Sequence, residues 1–285
     1  MSAGPSFLRK PARIHETTPE AGPVRCQNIA QFTQGAPWRL SDLHDRDTDL
    51  LIWITKGQGR ANIGGVMRGY GSHNAIFVPA GTLFALELGP QVLGSVIEAP
   101  SGMFALSERR PEHIRSRDSL AQAELTAAIE AMMREIGRDR LYLRDALGAH
   151  LRLVSVWLRR QLAEGTADRP DESASQRLTR RFSEILVRDY RSDRVMADYA
   201  AALGVTPTHL TRTCRAAAGK TAAEMITERK LYEARVMLGR SEPPISGVAE
   251  ALGFHSAAYF SRFVQSHTGQ TPSSLRRRAL GAGRP

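Results

Sequence analysis

The stretch Glu250-Ala-Leu-Gly-Phe-His-Ser-Ala-Ala-Tyr-Phe-Ser-Arg262 decides the fold of the C-terminal half, because the chain carries its pattern twice. The earlier copy reads Ala201-Ala-Leu-Gly-Val-Thr-Pro-Thr-His-Leu-Thr-Arg212. Each copy has a short apolar segment, a Leu-Gly pair (Leu203-Gly204, Leu252-Gly253) and a second segment with one arginine. Both close alike, on Gly219-Lys-Thr221 and Gly269-Gln-Thr271. The offset is 49 residues before the turn and 50 after it, so the second turn is one residue longer.

Two helices joined by a 3–4-residue turn containing Gly make a helix-turn-helix. Gly204 and Gly253 stand where the chain reverses, which calls for the positive φ that Gly tolerates. Leu210 and Cys214, and their counterparts Phe260 and Val264, are four apart and share an inward face. Arg212 and Arg262 fall off that stripe and face out, so Pro207 to Ala218 and Ser256 to His267 are the two candidate recognition helices. Pro207 suits a helix start, where its missing N–H costs nothing. Thr221 to Leu238 reads as one helix joining the units, roughly 27 Å long at 1.5 Å per residue. That is of the order of one DNA turn, about 34 Å. Leu178 to Tyr190 reads as a helix packed on the first unit, and Pro272 starts a last short helix carrying Arg276, Arg277 and Arg278.

The charge follows the repeat. The formal net charge is +10; residues 1–172 hold 21 Lys and Arg against 20 Asp and Glu, whereas residues 173–285 hold 18 against 9. A basic half with doubled helix-turn-helix units points to a polyanion partner. The chain's 285 residues suffice for two cores. No apolar run approaches a membrane span, and the Pro-rich lead-in, residues 1–23, has no apolar signal region. Cys26 and Cys214 read as two free thiols of a cytoplasmic protein.

From Val24 to about Ala99 the texture is β, and residues 24–118 read as one cupin-like effector-binding domain. Leu50-Leu-Ile-Trp-Ile-Thr55 is a buried strand, Gly57-Gln-Gly59 and Gly64-Gly65 are turns, and short strands follow to Ile97. This predicts an antiparallel barrel or jelly roll. Gly71-Ser-His-Asn-Ala-Ile-Phe-Val-Pro-Ala-Gly-Thr-Leu-Phe84 is similar to the second cupin motif, with Ser72 in place of its Asp and Phe84 in place of its metal-ligand His. The first motif's histidine and glutamate cluster is missing, and His44 and His73 have no partner at ligand spacing. The expectation is therefore a cupin-like domain without metal, cofactor or catalytic residues, enclosing a small ligand. Trp53, Arg60, His73, Phe77 and Phe84 are the candidate liners.

Residues 119–164 turn helical. Leu143, Leu147, Leu151, Val154 and Leu158 form an apolar seam, read as a dimerisation helix or as a helix lying on the barrel. Residues 165–176 read as the linker, and 177–280 as the DNA-binding domain. The fold class expected is multidomain α+β: a cupin-like barrel with following helices, then an all-α double helix-turn-helix domain.

Gly253-Phe-x-Ser-x-x-Tyr-Phe-Ser-Arg-Phe263 and Gly269-x-Thr-Pro272, on two units joined by one helix, resemble the AraC/XylS family of bacterial transcription regulators. The resemblance implies a cytoplasmic, dimeric activator that binds double-stranded promoter DNA, meets RNA polymerase, and answers a small effector held by the N-terminal domain. Ala197 to Leu210 also resembles regulators of aromatic-acid catabolism, which implies an aromatic-acid effector. Carried over residue by residue, the base-reading positions are Thr208, Thr211 and Arg212 in the first helix. In the second they are Ala257, Ala258, Ser261 and Arg262. An arginine can take guanine O6 and N7 together, and a threonine can touch a thymine methyl. Alanines at 257 and 258 leave the second unit little direct readout. It is expected to hold phosphates through Ser256, Arg262, Arg276 and Arg277, while Arg215 adds charge to the first. A cupin enzyme with a DNA-binding appendage, and an architectural protein without effector, are the alternatives.

Overall fold

A computed structural model describes residues 23–167 and 171–281. Of the lead-in, residues 1–23, all but Pro23 lie outside the described residues. Among the described residues eight strands form two sheets. The larger has the order β1-β7-β2-β5-β8, built from Arg25–Asn28, Leu93–Pro100, Thr48–Lys56, Asn74–Val78 and Glu112–Arg115. The smaller, β4-β3-β6, is built from Val66–Tyr70, Gly59–Ile63 and Phe84–Leu88. All pairings are antiparallel. A bridge between His44 and Phe84 extends the smaller sheet's edge. The architecture is the cupin-like one expected, drawn as two facing sheets rather than a closed ring. Strands β1 and β8 are too short and too polar to stand out in the sequence.

The run Leu50 to Ile54 does not alternate because both faces of β2 are buried. Leu50, Ile52 and Ile54 point between the sheets, with Ile76, Val78 and Val96 beside them and Ile63, Phe84 and Leu86 opposite. Leu51 and Trp53 point the other way, with Phe77 and Ile97, onto two helices. These are α3 (Ser119–Arg138) and α4 (Leu143–Ala163), which follow the short α1 (Ile29–Thr33) and α2 (Trp38–Ser41). Trp53 Nε1 donates to Thr126 Oγ1 at 3.1 Å, and Trp157 Nε1 donates to the Ala121 carbonyl at 2.7 Å. The seam Leu147, Leu151, Val154 and Leu158 is buried in this same cluster. Its apolar surface is thus used within the chain, which corrects the dimerisation reading of that seam; the helix lies on the sheet.

The C-terminal half holds α5 (Ala174–Asp189), α6 (Met196–Ala202), α7 (Pro207–Ala218), α8 (Ala222–Leu238), α9 (Ile245–Ala251), α10 (Ala257–Thr268) and α11 (Pro272–Gly281). Helix α5 begins inside the expected linker, because Ser173 and Gln176 form a capping box. In α8 four consecutive residues, Arg229 to Tyr232, are buried, so the helix is enclosed on every side. The core around it also takes in Leu43, Leu83 and Ala85 from the β half. One apolar cluster therefore crosses from the β half into the helical half.

Candidate nucleic-acid interface

Both turns form as the sequence predicts. Gly204 and Gly253 take φ of 69° and 71°. Thr206 caps α7 by accepting from the His209 N–H, with Pro207 in the first turn, and Ser256 caps α10 by accepting from the Tyr259 N–H. Each cap satisfies a backbone donor that the helix start leaves unpaired. Leu210, Cys214, Phe260 and Val264 are fully buried, and Arg212 and Arg262 are exposed.

The first unit's exposed surface includes Thr208, His209, Arg212 and Arg215. Arg212 Nη2 lies 3.2 Å from His209 Nδ1, so the imidazole steers the guanidinium. His209 was not singled out by sequence; its signal is its position three residues before Arg212 on the same helix face. Thr211 departs from the expectation. Its hydroxyl donates to Met196 Sδ at 3.3 Å and is half-buried, which turns it toward the scaffold helix α6.

On the second unit Ala257 and Ala258 are exposed, Ser261 is half-buried and Arg262 has no ion-pair partner among the described residues. Tyr259 is exposed beside Phe254, ring centroids 5.9 Å apart. Arg276 is also corrected: it donates to the Pro243 carbonyl and is half-buried, so it braces the loop before α9. Arg277 and Arg278 stay exposed.

The units are fixed to one another and to the β half through α8. Lys230 Nζ donates to the carbonyls of Ser192 at 2.9 Å and Leu252 at 3.1 Å, bridging the turn after α5 to the turn of the second unit. Burial pulls its pKa below the ordinary lysine value. On another face Arg229, 2% exposed, donates to Asp45 Oδ1 at 2.6 Å and Glu233 Oε2 at 3.1 Å and stacks on the Tyr190 ring at 3.6 Å. Arg235 pairs with Asp42. His44 stacks on Tyr232 with ring centroids 4.1 Å apart. Burial first, then Arg46, holds the His44 pKa well below the usual histidine range. The β half thus grips the rod between the recognition helices through residues 42–46, a contact that no local pattern announces.

The candidate effector liners do not share one cavity. Trp53 and Phe77 face α3 and α4, on the opposite side of the sheet from the inter-sheet space. Arg60 is exposed and pairs with Glu87 at 2.7 Å. His73 sits in a turn at φ 59°, its ring 6.0 Å from Trp53. Of the five, Phe84 alone looks between the sheets, where it packs in filled core. The alternation of a strand explains the split: sequence shows which residues share a face, not which face is inside. Cys26 and Cys214 are buried thiols, pushed up to about 12 and about 11. No helix among the described residues is long and apolar enough to cross a membrane.

Comparison with known proteins bears on the C-terminal half. Residues 199–278 match the helix-turn-helix domain family. The HTH-type transcriptional regulator GlxA of Rhizobium meliloti is 41% identical over 76 residues, 27% of this chain and 24% of that protein. The chain thus spans about a quarter of the length of that curated relative. Among solved structures, ToxT of Vibrio cholerae bound to an unsaturated fatty acid aligns over 94% of this chain and 100% of its own, at 14% identity and a TM-score of 0.43. An AraC-type transcriptional regulator from Chromobacterium violaceum aligns over 38% of this chain and 97% of its own, at 24% identity and a TM-score of 0.34.

Proposed function

We propose that this chain, whose residues 199–278 form a helix-turn-helix domain of the AraC type, is a site-specific transcription regulator answering a small molecule taken up by its N-terminal half. The observation that carries the proposal is the pair of capped recognition helices on one enclosed rod, α8, about 26 Å long. A rod of that length suits successive major grooves on one side of a duplex. In this reading α7 reads bases through Arg212, oriented by His209, and through Thr208. Helix α10 grips phosphates through Arg262, Ser256 and its own N-terminus.

Control by a small molecule runs through the grip on α8. A ligand that favours one packing of the β half over another shifts where the rod, and both recognition helices, sit; equal affinity for both packings shifts nothing. RNA polymerase, a second copy of the chain and a cytoplasmic setting belong to this reading as its expected partners and place. The test is a gel-shift titration of the full chain on the DNA upstream of its own gene and on a scrambled control, at two salt concentrations. Tight binding to the upstream DNA alone supports the proposal.

A second reading has one observation behind it. Ala257 and Ala258 offer no hydrogen-bond donors, and Arg277 and Arg278 are exposed beyond them. An architectural protein that grips DNA by charge alone predicts equal, steeply salt-dependent binding to both fragments.

A further inference from the structure

We infer that the pocket between β1 and the α3–α4 hairpin, on the outer face of the larger sheet, binds an amphiphilic anion: an apolar body with one anionic head. No residue of either recognition helix lines it, and the inference holds whether or not the chain is a transcription regulator. The space between the sheets is filled by Ile52, Phe84, Leu86 and their neighbours. On the other side of the larger sheet, α3 and α4 cover Trp53 and Phe77 but leave an opening of about 420 Å³ over β1. That is within the range of small-molecule sites.

The buried part of the lining is apolar. It includes Leu147 and Cys26, both almost fully buried. Burial pushes the Cys26 thiol up to about 12, so it stays neutral, and its Sγ donates to the Ile129 carbonyl at 3.9 Å. Val24 on β1, Ile136 near the end of α3 and Leu143 at the start of α4 continue the apolar lining, and Met103 forms an exposed lip.

The charged part of the lining has one sign. Arg25 and Arg144 are both exposed, and no aspartate or glutamate lines the pocket. Arg25 reaches Glu98 only at 3.9 Å, and that carboxylate already accepts from Arg46 at 3.3 Å and from the Thr48 hydroxyl at 2.8 Å. Arg144 makes no ion pair among the described residues, and Asp145, next in the chain, is exposed and outside the lining. The first turn of α4, which Tyr142 leaves without a side-chain cap, adds the positive end of a helix to the same wall. A neutral apolar guest would leave both guanidiniums without a partner. An anionic head on an apolar body matches both parts of the lining, through charge-assisted bonds stronger than those of a neutral group. Such a guest touches β1 and both helices at once, so it stabilises the packing of the hairpin on the sheet edge by mass action.

The experiment is isothermal titration calorimetry on the full chain with 1-naphthoate and octane-1-sulfonate, against 1-naphthamide, octan-1-ol and sulfate. At least one amphiphilic anion is expected to bind about tenfold or more tighter than its neutral counterpart, and sulfate, which has no apolar body, to bind no better than that counterpart. Arg144→Gln should weaken the anion about tenfold and leave the neutral compound unchanged. Met103→Trp, which fills the pocket from its exposed lip without removing a charge, should remove the binding altogether. Arg180→Gln alters the separate cavity beside α5 and should change nothing. Absence of binding by both anions at millimolar concentration overturns the inference. So does equal binding of the neutral compound or of sulfate, binding that survives either pocket substitution, or binding that falls with Arg180→Gln. A chain lacking residues 2–22 is titrated as well, because the lead-in enters at Pro23, on the pocket's edge. Binding that appears only in that shortened chain would make the lead-in the occupant and overturn the inference too. The regulator reading fails separately, when the chain binds upstream and scrambled DNA alike.

Discussion

The two helix-turn-helix units share a turn, a cap and an outward arginine, yet they sit in different company. A Cβ added at Gly204 would meet nothing within 4 Å, whereas one added at Gly253 would lie 2.5 Å from the Ser192 carbonyl carbon and oxygen. Helix α7 buries Leu210, Thr213, Cys214, Ala217 and Ala218 between α5 and α8; α10 buries only Phe260 and Val264. The first unit is wedged in the molecule and presents polar side chains outward. The second packs through Val248, Leu252, Phe260 and Val264, and its turn is pinned against Ser192 at Gly253 and by Lys230 donating to Leu252. A repeat in sequence therefore repeats the local shape, while packing assigns each copy its own task.

The sharpest way to break this comparison is to place the same methyl at both turns. Gly204→Ala should cost about 1 kcal/mol, from positive φ alone. Gly253→Ala adds a clash with backbone and should cost about 3 kcal/mol or more, unseating the second unit. Thermal unfolding of the full-length variants checks this; equal losses would mean the Ser192 contact holds nothing in place.

Next in size is the division between reading and gripping. Arg212→Ala should cost about 1–3 kcal/mol on the upstream DNA and far less on scrambled DNA. Arg262→Ala should weaken both to the same degree. Competition gel shifts with the two fragments decide, and the reverse pattern would exchange the roles of α7 and α10.

A smaller effect belongs to the last helix. Replacing Arg277 and Arg278 by Gln should flatten the dependence of log affinity on log salt by about 0.9 for each lost phosphate contact. Arg276→Gln should leave that slope alone and lower the unfolding temperature, because Arg276 braces the Pro243 carbonyl. A slope change from Arg276→Gln would return it to the DNA surface.

The effect that vanishes at neutral pH concerns His44. Its folded pKa lies well below the ordinary value, so the unfolded chain takes up a proton first as pH falls below about 6.5. Stability is complete above that pH and declines beneath it. Arg46 and Arg229 face the ring and oppose protonation, and Tyr232 stacks on it. Asp42, raised by burial, titrates near the acidic end and acts in the opposite direction there. Unfolding midpoints between pH 5 and 7 should therefore fall less for His44→Gln than for the native chain; parallel curves would remove His44 as the cause.

Much of the C-terminal half was legible because its signals are local. Turn glycines, Thr206 and Ser256 at the caps, and apolar residues four apart specify helices and turns wherever they occur. The β half was legible as strands and as a class of fold, since Leu50 to Ile54 is buried on both sides. It was not legible as a pocket: Trp53 and Phe77 are as apolar as Ile52 and Ile76, and nothing local says which side the helices cover. The seam of α4 was open for the same reason, an apolar stripe being silent about what covers it.

Sequence by itself determined the doubled unit, the connecting rod, the basic charge of the half that carries them and the two arginines that face out. Those follow from backbone preference and helical period, which act within a few residues. Only the tertiary structure decided that residues 42–46 grip α8, that Thr211 and Arg276 turn inward, and that Trp53 and Phe77 face the helices rather than the space between the sheets. Those outcomes depend on contacts such as Asp45 with Arg229, 184 residues apart in the chain. They become favourable only once the intervening chain has folded and the charges are buried together.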